Sequence, residues 1–184
     1  MKLENVTKRF GEKTVFENLT LEIQEGKFTS LTGASGCGKT TLLRIIAGLD
    51  NDYSGSVSGR LGVISFAFQE HRLFEGATVI ENTALSKDKR SVAEEILADM
   101  GIGEENFSLY PSSLSGGMAR RVSIARSIVY DADLYLIDEP FSGLDADSKE
   151  KCAKSILERL KGKTVVISTH DTDFANQLDC HIYL

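Results

Sequence analysis

The stretch Gly33-Ala34-Ser35-Gly36-Cys37-Gly38-Lys39-Thr40 decides the fold of this chain, because it fits the spacing G-x-x-x-x-G-K-[ST] at every fixed position. Residues 27–32 before it predict a short buried strand, and residues 41–47 after it predict a helix that ends at Gly48. Glycines let backbone N–H groups turn inward, and the N-terminus of a helix adds partial positive charge. A strand, a glycine-rich loop and a helix in this order therefore predict a phosphate-binding site.

The residue types in this stretch suit a nucleotide. We expect Lys39 to reach the β- and γ-phosphates and the Thr40 hydroxyl to ligate Mg²⁺. Cys37 is interpreted as a small tolerated residue, and a redox role beside Lys39 is the alternative. The residues expected to contact the nucleotide here are Gly33, Ala34, Ser35, Gly36, Cys37, Gly38, Lys39, Thr40 and Thr41.

The composition is that of an ordinary globular protein and limits the classes of partner. The chain has 184 residues, of which 41% are hydrophobic and 26% charged, which suffices for one substantial domain. The formal net charge of −6 argues against nucleic acid as a partner, because nucleic-acid binding needs a basic face. No apolar run is long enough to span a bilayer and the N-terminus has no apolar signal region, so we expect a cytoplasmic protein. The three cysteines include no C-x-x-C spacing, which indicates reduced thiols.

Strand patterns and helix patterns alternate along the chain. Alternating apolar and polar residues predict an antiparallel hairpin over 2–9 and 14–23, and the polar stretch 50–59 predicts a loop or a short hairpin. Further strands are predicted at 61–68, 134–137, 164–168 and 181–184. Helices are predicted at 78–85, at 91–100, from Gly116 onward, at 148–160 and at 171–178.

These elements predict an α/β fold with a mainly parallel sheet, an N-terminal antiparallel β part and a helical insertion. We expect a single domain over 1–184, with a nucleotide-binding core formed by 1–69 and 126–184 and a helical part at 70–125. Ser91 and Glu94 have the spacing of a capping box, which predicts the start of one helix. Asp145 or Asp147 is predicted to cap the helix at 148–160.

A second motif narrows the class of phosphate-binding protein. The stretch Leu114-Ser115-Gly116-Gly117-Met118 precedes an apolar helix, and Leu134 to Pro140 forms an apolar strand that ends in two acids. Together with the glycine-rich loop, these motifs make the chain resemble the ATP-binding-cassette (ABC) ATPases over nearly its whole length. The resemblance implies a P-loop NTPase (RecA-like) fold. The family usually has Gln where this chain has Met118, which puts in doubt the polar contacts of that one position.

The resemblance assigns roles to polar residues at strand ends. Asp138 is implied to order Mg²⁺ and Glu139 to act as the general base on the attacking water; two solvated carboxylates are the alternative. If strand geometry persists, Glu139 points to the side opposite Asp138. His170 is implied to contact the γ-phosphate, and Gln69 to reach Mg²⁺ and water. A structural His and a surface Gln are the alternatives at these two positions.

The remaining roles concern the adenine base and a second chain. Phe10 lies where the family places an aromatic residue against adenine, and a core Phe is the alternative. Ser115, Gly116 and Gly117 are implied to contact nucleotide that a second chain holds, and an N-cap serine followed by flexible glycines is the alternative. Asp145 closes the loop that faces the dimer partner in the family, and a plain capping turn is the alternative.

The function that the resemblance implies is ATP hydrolysis coupled to transport. Two cassette chains would bind head to tail around ATP and Mg²⁺ and act on integral-membrane permease subunits, with a solute-binding protein as an indirect partner. The protein would then lie at the inner face of the cell membrane. The run from Phe68 to Phe74 is similar to the corresponding stretch of importers for nitrate, sulfonate, taurine and related solutes. This similarity indicates uptake in a prokaryote. An ABC ATPase without a transport role and a regulatory cassette with little turnover are the alternatives.

Overall fold

The computed structural model describes all 184 residues, which form eight strands and six α-helices. The strands are β1 (Lys2–Phe10), β2 (Lys13–Glu22), β3 (Phe28–Thr32), β4 (Ser54–Ser58), β5 (Ile64–Ala67), β6 (Leu134–Asp138), β7 (Thr164–Ser168) and β8 (Cys180–Tyr183). The helices are α1 (Lys39–Ile46), α2 (Val79–Ala84), α3 (Arg90–Asp99), α4 (Gly116–Ile128), α5 (Ala146–Arg159) and α6 (Thr172–Ala175). None of these helices is both long and apolar enough to cross a membrane.

The chain forms two units. The first unit consists of Met1–Phe66, Ala132–Glu139 and Gly162–Leu184, and it contains both sheets. The second unit consists of Ala67–Asp131 and Pro140–Lys161, and it contains the helices α2 to α5. The functional boundaries that the sequence predicts, at 69/70 and 125/126, stay a prediction.

A three-stranded antiparallel sheet with the order β2-β1-β4 begins the first unit. The predicted hairpin is present, and Phe10 pairs with Lys13 across a turn in which Gly11 has a φ of 57°. The stretch 50–59 was predicted as a loop or a short hairpin, whereas its Ser54–Ser58 segment forms β4 and pairs with β1. This strand has little apolar periodicity of its own, so its pairing with β1 is a tertiary effect.

A five-stranded sheet with the order β5-β6-β7-β3-β8 forms the other layer of the first unit. The pairs β3–β7, β3–β8 and β6–β7 are parallel. Every residue of β6 and β7 is buried, as expected for central strands of a parallel sheet. Because these strands are parallel, their carboxyl ends lie at one edge of the sheet. Gly33, Glu139 and Thr169, which follow β3, β6 and β7, therefore begin at the same edge.

One hydrophobic core joins the two sheets through α1. It contains Leu3 and Val6 of β1, four side chains of α1, and the central strand residues Leu134, Leu136 and Val166. The four residues of α1 in this core are Leu42, Leu43, Ile45 and Ile46, and none is more than 1% exposed. Burial of this many aliphatic side chains fixes α1, and hence the loop before it, against the edge of the parallel sheet.

The second unit shows which of the predicted caps form. Asp145 caps α5 as predicted, because its carboxylate accepts a hydrogen bond of 2.9 Å from the Ser148 amide. The capping box predicted at Ser91 is wrong: α3 begins at Arg90, and Lys89 stands at its N-cap without a side-chain bond. A capping box forms instead at α2, where the Thr78 hydroxyl accepts from the Glu81 amide and the Glu81 carboxylate accepts from the Thr78 amide.

Thr78 and Ser91 both have the spacing of a capping box, so substitution of each by alanine gives a matched comparison. Thr78→Ala removes the hydroxyl that caps α2, and we expect it to lower the free energy of unfolding by about 1 kcal/mol. Ser91→Ala removes a hydroxyl of the same capping spacing that caps nothing, and we expect no measurable loss. Urea denaturation followed by circular dichroism measures both variants. A loss of equal size in Ser91→Ala would contradict the assignment of the box to α2.

Candidate nucleotide-binding site

The loop between β3 and α1 folds around the Lys39 side chain. The Nζ of Lys39 donates to the carbonyl oxygens of Gly33 at 3.0 Å and Ala34 at 3.4 Å, and the residue is only 8% exposed. The N-cap of α1 is Gly38, which has no side chain to satisfy the first N–H groups of the helix. An ammonium group and a helix N-terminus without a side-chain cap thus lie next to each other, an arrangement suited to a polyphosphate.

Glycine is required at two positions of this loop. Gly38 has a φ of +108°, and a Cβ there would lie 2.4 Å from Cγ1 of Val15 on β2. A Cβ at Gly33 would lie 2.7 Å from the carbonyl oxygen of Leu184. Because both approaches are closer than any side chain tolerates, the glycines allow the hairpin and the end of β8 to pack against the loop.

Two hydroxyl groups hold the carboxylate at the end of β6. The Thr40 Oγ1 donates to Oδ2 of Asp138 at 2.6 Å, and the Ser168 Oγ donates to Oδ1 of the same residue. Asp138 is 1% exposed and has lost its hydrating water. The two hydroxyl groups replace the hydrogen bonds that this water would make. Thr40 and Asp138 together present two oxygen atoms of the kind that Mg²⁺ prefers.

The oxygen donors around Asp138 suit Mg²⁺ better than they suit a metal ion that is bound entirely by protein side chains. No group of three or more His, Cys, Asp or Glu side chains in this chain is arranged so that it could hold a metal ion. Mg²⁺ sites in phosphate-binding proteins use one or two protein oxygens and complete the shell with phosphate and water. The pair Thr40 and Asp138 matches that pattern.

Glu139 lies between a cation and an imidazole. Its Oε1 is 3.6 Å from Nζ of Lys39 and its Oε2 is 2.8 Å from Nδ1 of His170. The Glu139 side chain is 13% exposed, whereas that of His170 is 72% exposed. Glu139 is therefore largely shielded from solvent, whereas its imidazole neighbour is mostly exposed.

Strand geometry does not persist through Glu139, so the condition for its pointing opposite to Asp138 is not met. β6 ends at Asp138, and Glu139 has a φ of +49°, in the left-handed region that non-glycine residues rarely adopt. The Glu139 amide donates to both the carbonyl oxygen and the Oγ of Ser168, at 3.1 and 3.0 Å. These bonds compensate for a backbone conformation that costs about 1–2 kcal/mol in a non-glycine residue.

Ser168 is a residue of this site that the sequence analysis missed. It is fully buried at the end of β7, pairs with Asp138 across the parallel ladder, and bonds both Asp138 and the Glu139 amide. The available signal was a hydroxyl residue at the end of an otherwise apolar strand. That signal is weak, because serine at a strand end usually starts a turn.

Phe10 is not a core residue, so that alternative is wrong. Its side chain is 55% exposed, and the Nζ of Lys8 lies 4.6 Å from the centroid of its ring. The hairpin that carries Phe10 approaches the glycine-rich loop through Val15, the neighbour of Gly38 described above. Stacking of adenine on Phe10 stays a prediction.

Ser115 and Asp145 of the second unit both cap helices. The Ser115 Oγ accepts a hydrogen bond of 3.2 Å from the Met118 amide at the start of α4, so the capping alternative is present here. Gly116 is exposed beside it, and Gly117 is half-buried. Bonds from the amide and the hydroxyl of Ser148 lower the pKa of Asp145 below its ordinary value. Contacts of these residues with a second chain stay predictions.

Arginines of α4 hold the backbone around Gln69. The guanidinium of Arg120 donates to the carbonyl oxygens of Phe68, at 2.9 Å, and Gln69. Arg126 donates to those of His71 and Arg72, at 3.1 and 2.9 Å. The Gln69 residue is exposed, and its predicted role at Mg²⁺ and water stays a prediction.

Comparison with known proteins identifies the family of this chain. The family model described as "ABC transporter" matches residues 16–142. An aliphatic sulfonates import ATP-binding protein of Streptomyces avermitilis is 40% identical over 182 residues, which cover 95% of this chain and 68% of that protein. Its counterpart of Bacillus subtilis is 44% identical over 177 residues, which cover 88% of this chain and 69% of that protein.

Solved structures show the same fold. The dimeric structure of MJ0796, described as a bacterial ABC transporter cassette, has a TM-score of 0.86 and 33% identity, and the match covers 100% of this chain and 93% of that one. The same cassette in a post-hydrolysis state bound to ADP and Pi has a TM-score of 0.85 and 33% identity, with the same coverage. The P-loop NTPase fold that the sequence predicts is thereby confirmed.

Ser168→Ala tests whether the hydroxyl at the end of β7 positions the two acids. We expect the rate of ATP hydrolysis to fall about ten-fold, because loss of a residue that orients the acids misplaces them, while ATP affinity changes little. Steady-state hydrolysis and calorimetric binding measure the two effects. Ser155→Ala is the control, because Ser155 is also buried but its Oγ has no hydrogen-bond partner. A Ser168→Ala enzyme with full turnover would remove Ser168 from the site.

Proposed function

Because this chain belongs to the ABC transporter family, we propose that it is the ATP-hydrolysing subunit of a prokaryotic importer for a small solute. The observation that carries the proposal is the meeting of Lys39, Glu139 and the Thr40–Asp138 pair at one edge of the parallel sheet. Relatives at 40% and 44% identity are named for the import of aliphatic sulfonates, so an organosulfonate is the solute class that we propose.

Lys39 and the loop bind the phosphates. The Lys39 Nζ exchanges its contacts with the Gly33 and Ala34 carbonyls for the more strongly accepting oxygens of the β- and γ-phosphates. The amides of the loop and the start of α1 contribute further donors, from Gly33 through Thr41. The exposed side chain of Phe10 contacts the adenine base.

Thr40 and Asp138 would hold Mg²⁺, with Gln69 as a further predicted contact. A bound Mg²⁺ would supply positive charge that offsets the charge of the β- and γ-phosphates. The chain's own contribution is orientation: the Ser168 hydroxyl bonds one carboxylate oxygen of Asp138 and leaves the other beside the Thr40 hydroxyl.

Glu139 is the general base and His170 its neighbour at the γ-phosphate. The carboxylate of Glu139 accepts a proton from water that attacks the γ-phosphorus in line with the leaving oxygen. The His170 ring, 2.8 Å from Glu139, donates a hydrogen bond to the γ-phosphate. Positioning and charge stabilisation supply most of the rate enhancement.

A second cassette chain completes the site. Ser115, Gly116, Gly117 and Asp145 contact nucleotide or loop residues of that chain, which binds head to tail. The dimeric form of the related cassette MJ0796 supports this assembly. Permease subunits convert closure of the pair into transport and keep the protein at the cytoplasmic face of the membrane, with a solute-binding protein as an indirect partner.

Glu139→Gln separates hydrolysis from binding. The amide cannot accept the proton, so we expect turnover to fall by about 100-fold or more, in line with loss of a general base. The phosphate-binding loop is unchanged, so ATP affinity should stay within about two-fold of the parent value. This is roughly 0.4 kcal/mol, well below the 1.4 kcal/mol of a tenfold change. Glu150→Gln, at an exposed acid of α5, is the charge-matched control. Hydrolysis by Glu139→Gln at the parent rate would refute the base assignment.

Cys37 reports nucleotide in the loop. Burial raises the pKa of Cys152 to about 12, so that thiol stays protonated and unreactive at pH 8. In a Cys180→Ser variant, alkylation at pH 8 therefore reports Cys37, which is half-buried. ATP at about 100 times its Kd should slow labelling roughly 100-fold, because only the protein without bound ATP reacts. Lys39→Ala is the control and should abolish the protection of Cys37 by ATP. If ATP does not slow the labelling of Cys37 in the Cys180→Ser variant, the nucleotide binds elsewhere.

A further inference from the structure

A buried lysine lies on β1 close to the predicted adenine contact. Lys8 is 1% exposed, and its Nζ donates to Asp50 Oδ1 at 2.9 Å, to the Asp52 carbonyl at 2.6 Å and to Asp52 Oδ2 at 3.3 Å. Three acceptors thus satisfy the three N–H groups of the ammonium. Burial lowers the pKa of Lys8, but the bonds to the two aspartates outweigh it and the pKa lies above its ordinary value. Lys8 therefore carries its charge.

The same ammonium group covers one face of the Phe10 ring. The Nζ of Lys8 lies over the Phe10 ring, 4.6 Å from its centroid, at a point where the register of β1 against β2 is irregular. Phe10 remains 55% exposed although Lys8 lies over one face of its ring. The opposite face is the one that the ammonium does not cover.

A purely structural role explains only part of this arrangement. The bonds to Asp50 and Asp52 tie the loop after α1 to β1, and a tether of this kind needs no aromatic ring above it. A cation held on one face fixes the orientation of the ring. It also draws electron density from the opposite face, which weakens the face-to-face repulsion that two aromatic rings experience when they stack.

We propose that Lys8 is a positioning residue for the base of the bound nucleotide, acting through Phe10. It orients the ring and prepares the free face to stack on a purine. This inference rests on the proposed nucleotide-binding function, and it adds a residue that contacts neither base nor phosphate. It also explains how Phe10 provides a defined stacking surface although more than half of its side chain is exposed.

The test compares a ligand that has a base with one that has none. In Lys8→Met, calorimetry should show ATP affinity about five-fold weaker, the size of one cation–π or stacking contact. Affinity for inorganic tripolyphosphate, which has no base to stack, should change by less than about two-fold on the same scale. Lys8→Arg keeps a cation beneath the ring and should retain the parent ratio of the two affinities.

Two controls separate the alternatives. Lys2→Met removes the same charge from an exposed position on β1, where Lys2 pairs with Glu4 at 2.7 Å, and should alter neither affinity. In a Phe10→Ala background, Lys8→Met should cause no further loss of ATP affinity, because coupled residues do not act additively. If Lys8→Met does not fold, Lys8→Gln removes the charge and keeps hydrogen-bond donors for the same measurement.

The measurements distinguish failure of the positioning role of Lys8 from failure of the proposed function. Equal loss of ATP and tripolyphosphate affinity in Lys8→Met overturns the positioning role. Loss of base-dependent affinity in Phe10→Ala but not in Lys8→Met also overturns it and leaves the proposed function standing. A parent protein that binds neither ligand refutes the proposed function itself.

Discussion

The carboxylate of Asp138 is the centre on which the site depends. A buried carboxylate is costly unless hydrogen bonds replace its water, and Asp138 obtains them from two other elements, α1 through Thr40 and β7 through Ser168. The parallel register, in which Asp138 is opposite Ser168, makes the second bond available. One carboxyl group thereby fixes the loop, the acidic strand end and the neighbouring strand end relative to one another.

The position of Glu139 follows from this arrangement. Because Ser168 bonds both Asp138 and the Glu139 amide, the chain leaves β6 in a left-handed conformation rather than as a continued strand. The Glu139 carboxylate then lies beside Lys39 and His170 on the same edge of the sheet. A residue that had continued the strand would have pointed to the opposite face. The strained backbone at Glu139 is thus part of how its carboxylate comes to lie beside the loop lysine Lys39.

The sequence predicted what local patterns determine and missed what tertiary contacts determine. The glycine-rich loop and the buried strands were predictable, since spacing and apolar runs specify them directly. The stretch 50–59 predicts no more than a loop or a short hairpin, because the Ser and Gly residues of β4 have no strand pattern without β1 beside them. The spacing S/T-x-x-E occurs at both Thr78 and Ser91, but a helical turn at Lys87–Lys89 runs directly into α3. Ser91 therefore lies inside the helix, where a serine cannot act as an N-cap.

The partners of Lys8 could not be predicted from local sequence patterns either. The packing that brings them together also sets the distance between Phe10 and the glycine-rich loop. Asp50 and Asp52 lie 42 and 44 residues along the chain from Lys8, so no local pattern connects them. They come together because the core around α1 joins the antiparallel sheet, which carries Phe10, to the parallel sheet, which carries Asp138. Gly38 sets how close the two can come, since its missing side chain lets Val15 of the hairpin approach the loop backbone. The separation between Phe10 and the glycine-rich loop is thus fixed by packing within one unit, whereas the proposed contacts of Ser115 and Asp145 depend on a second chain.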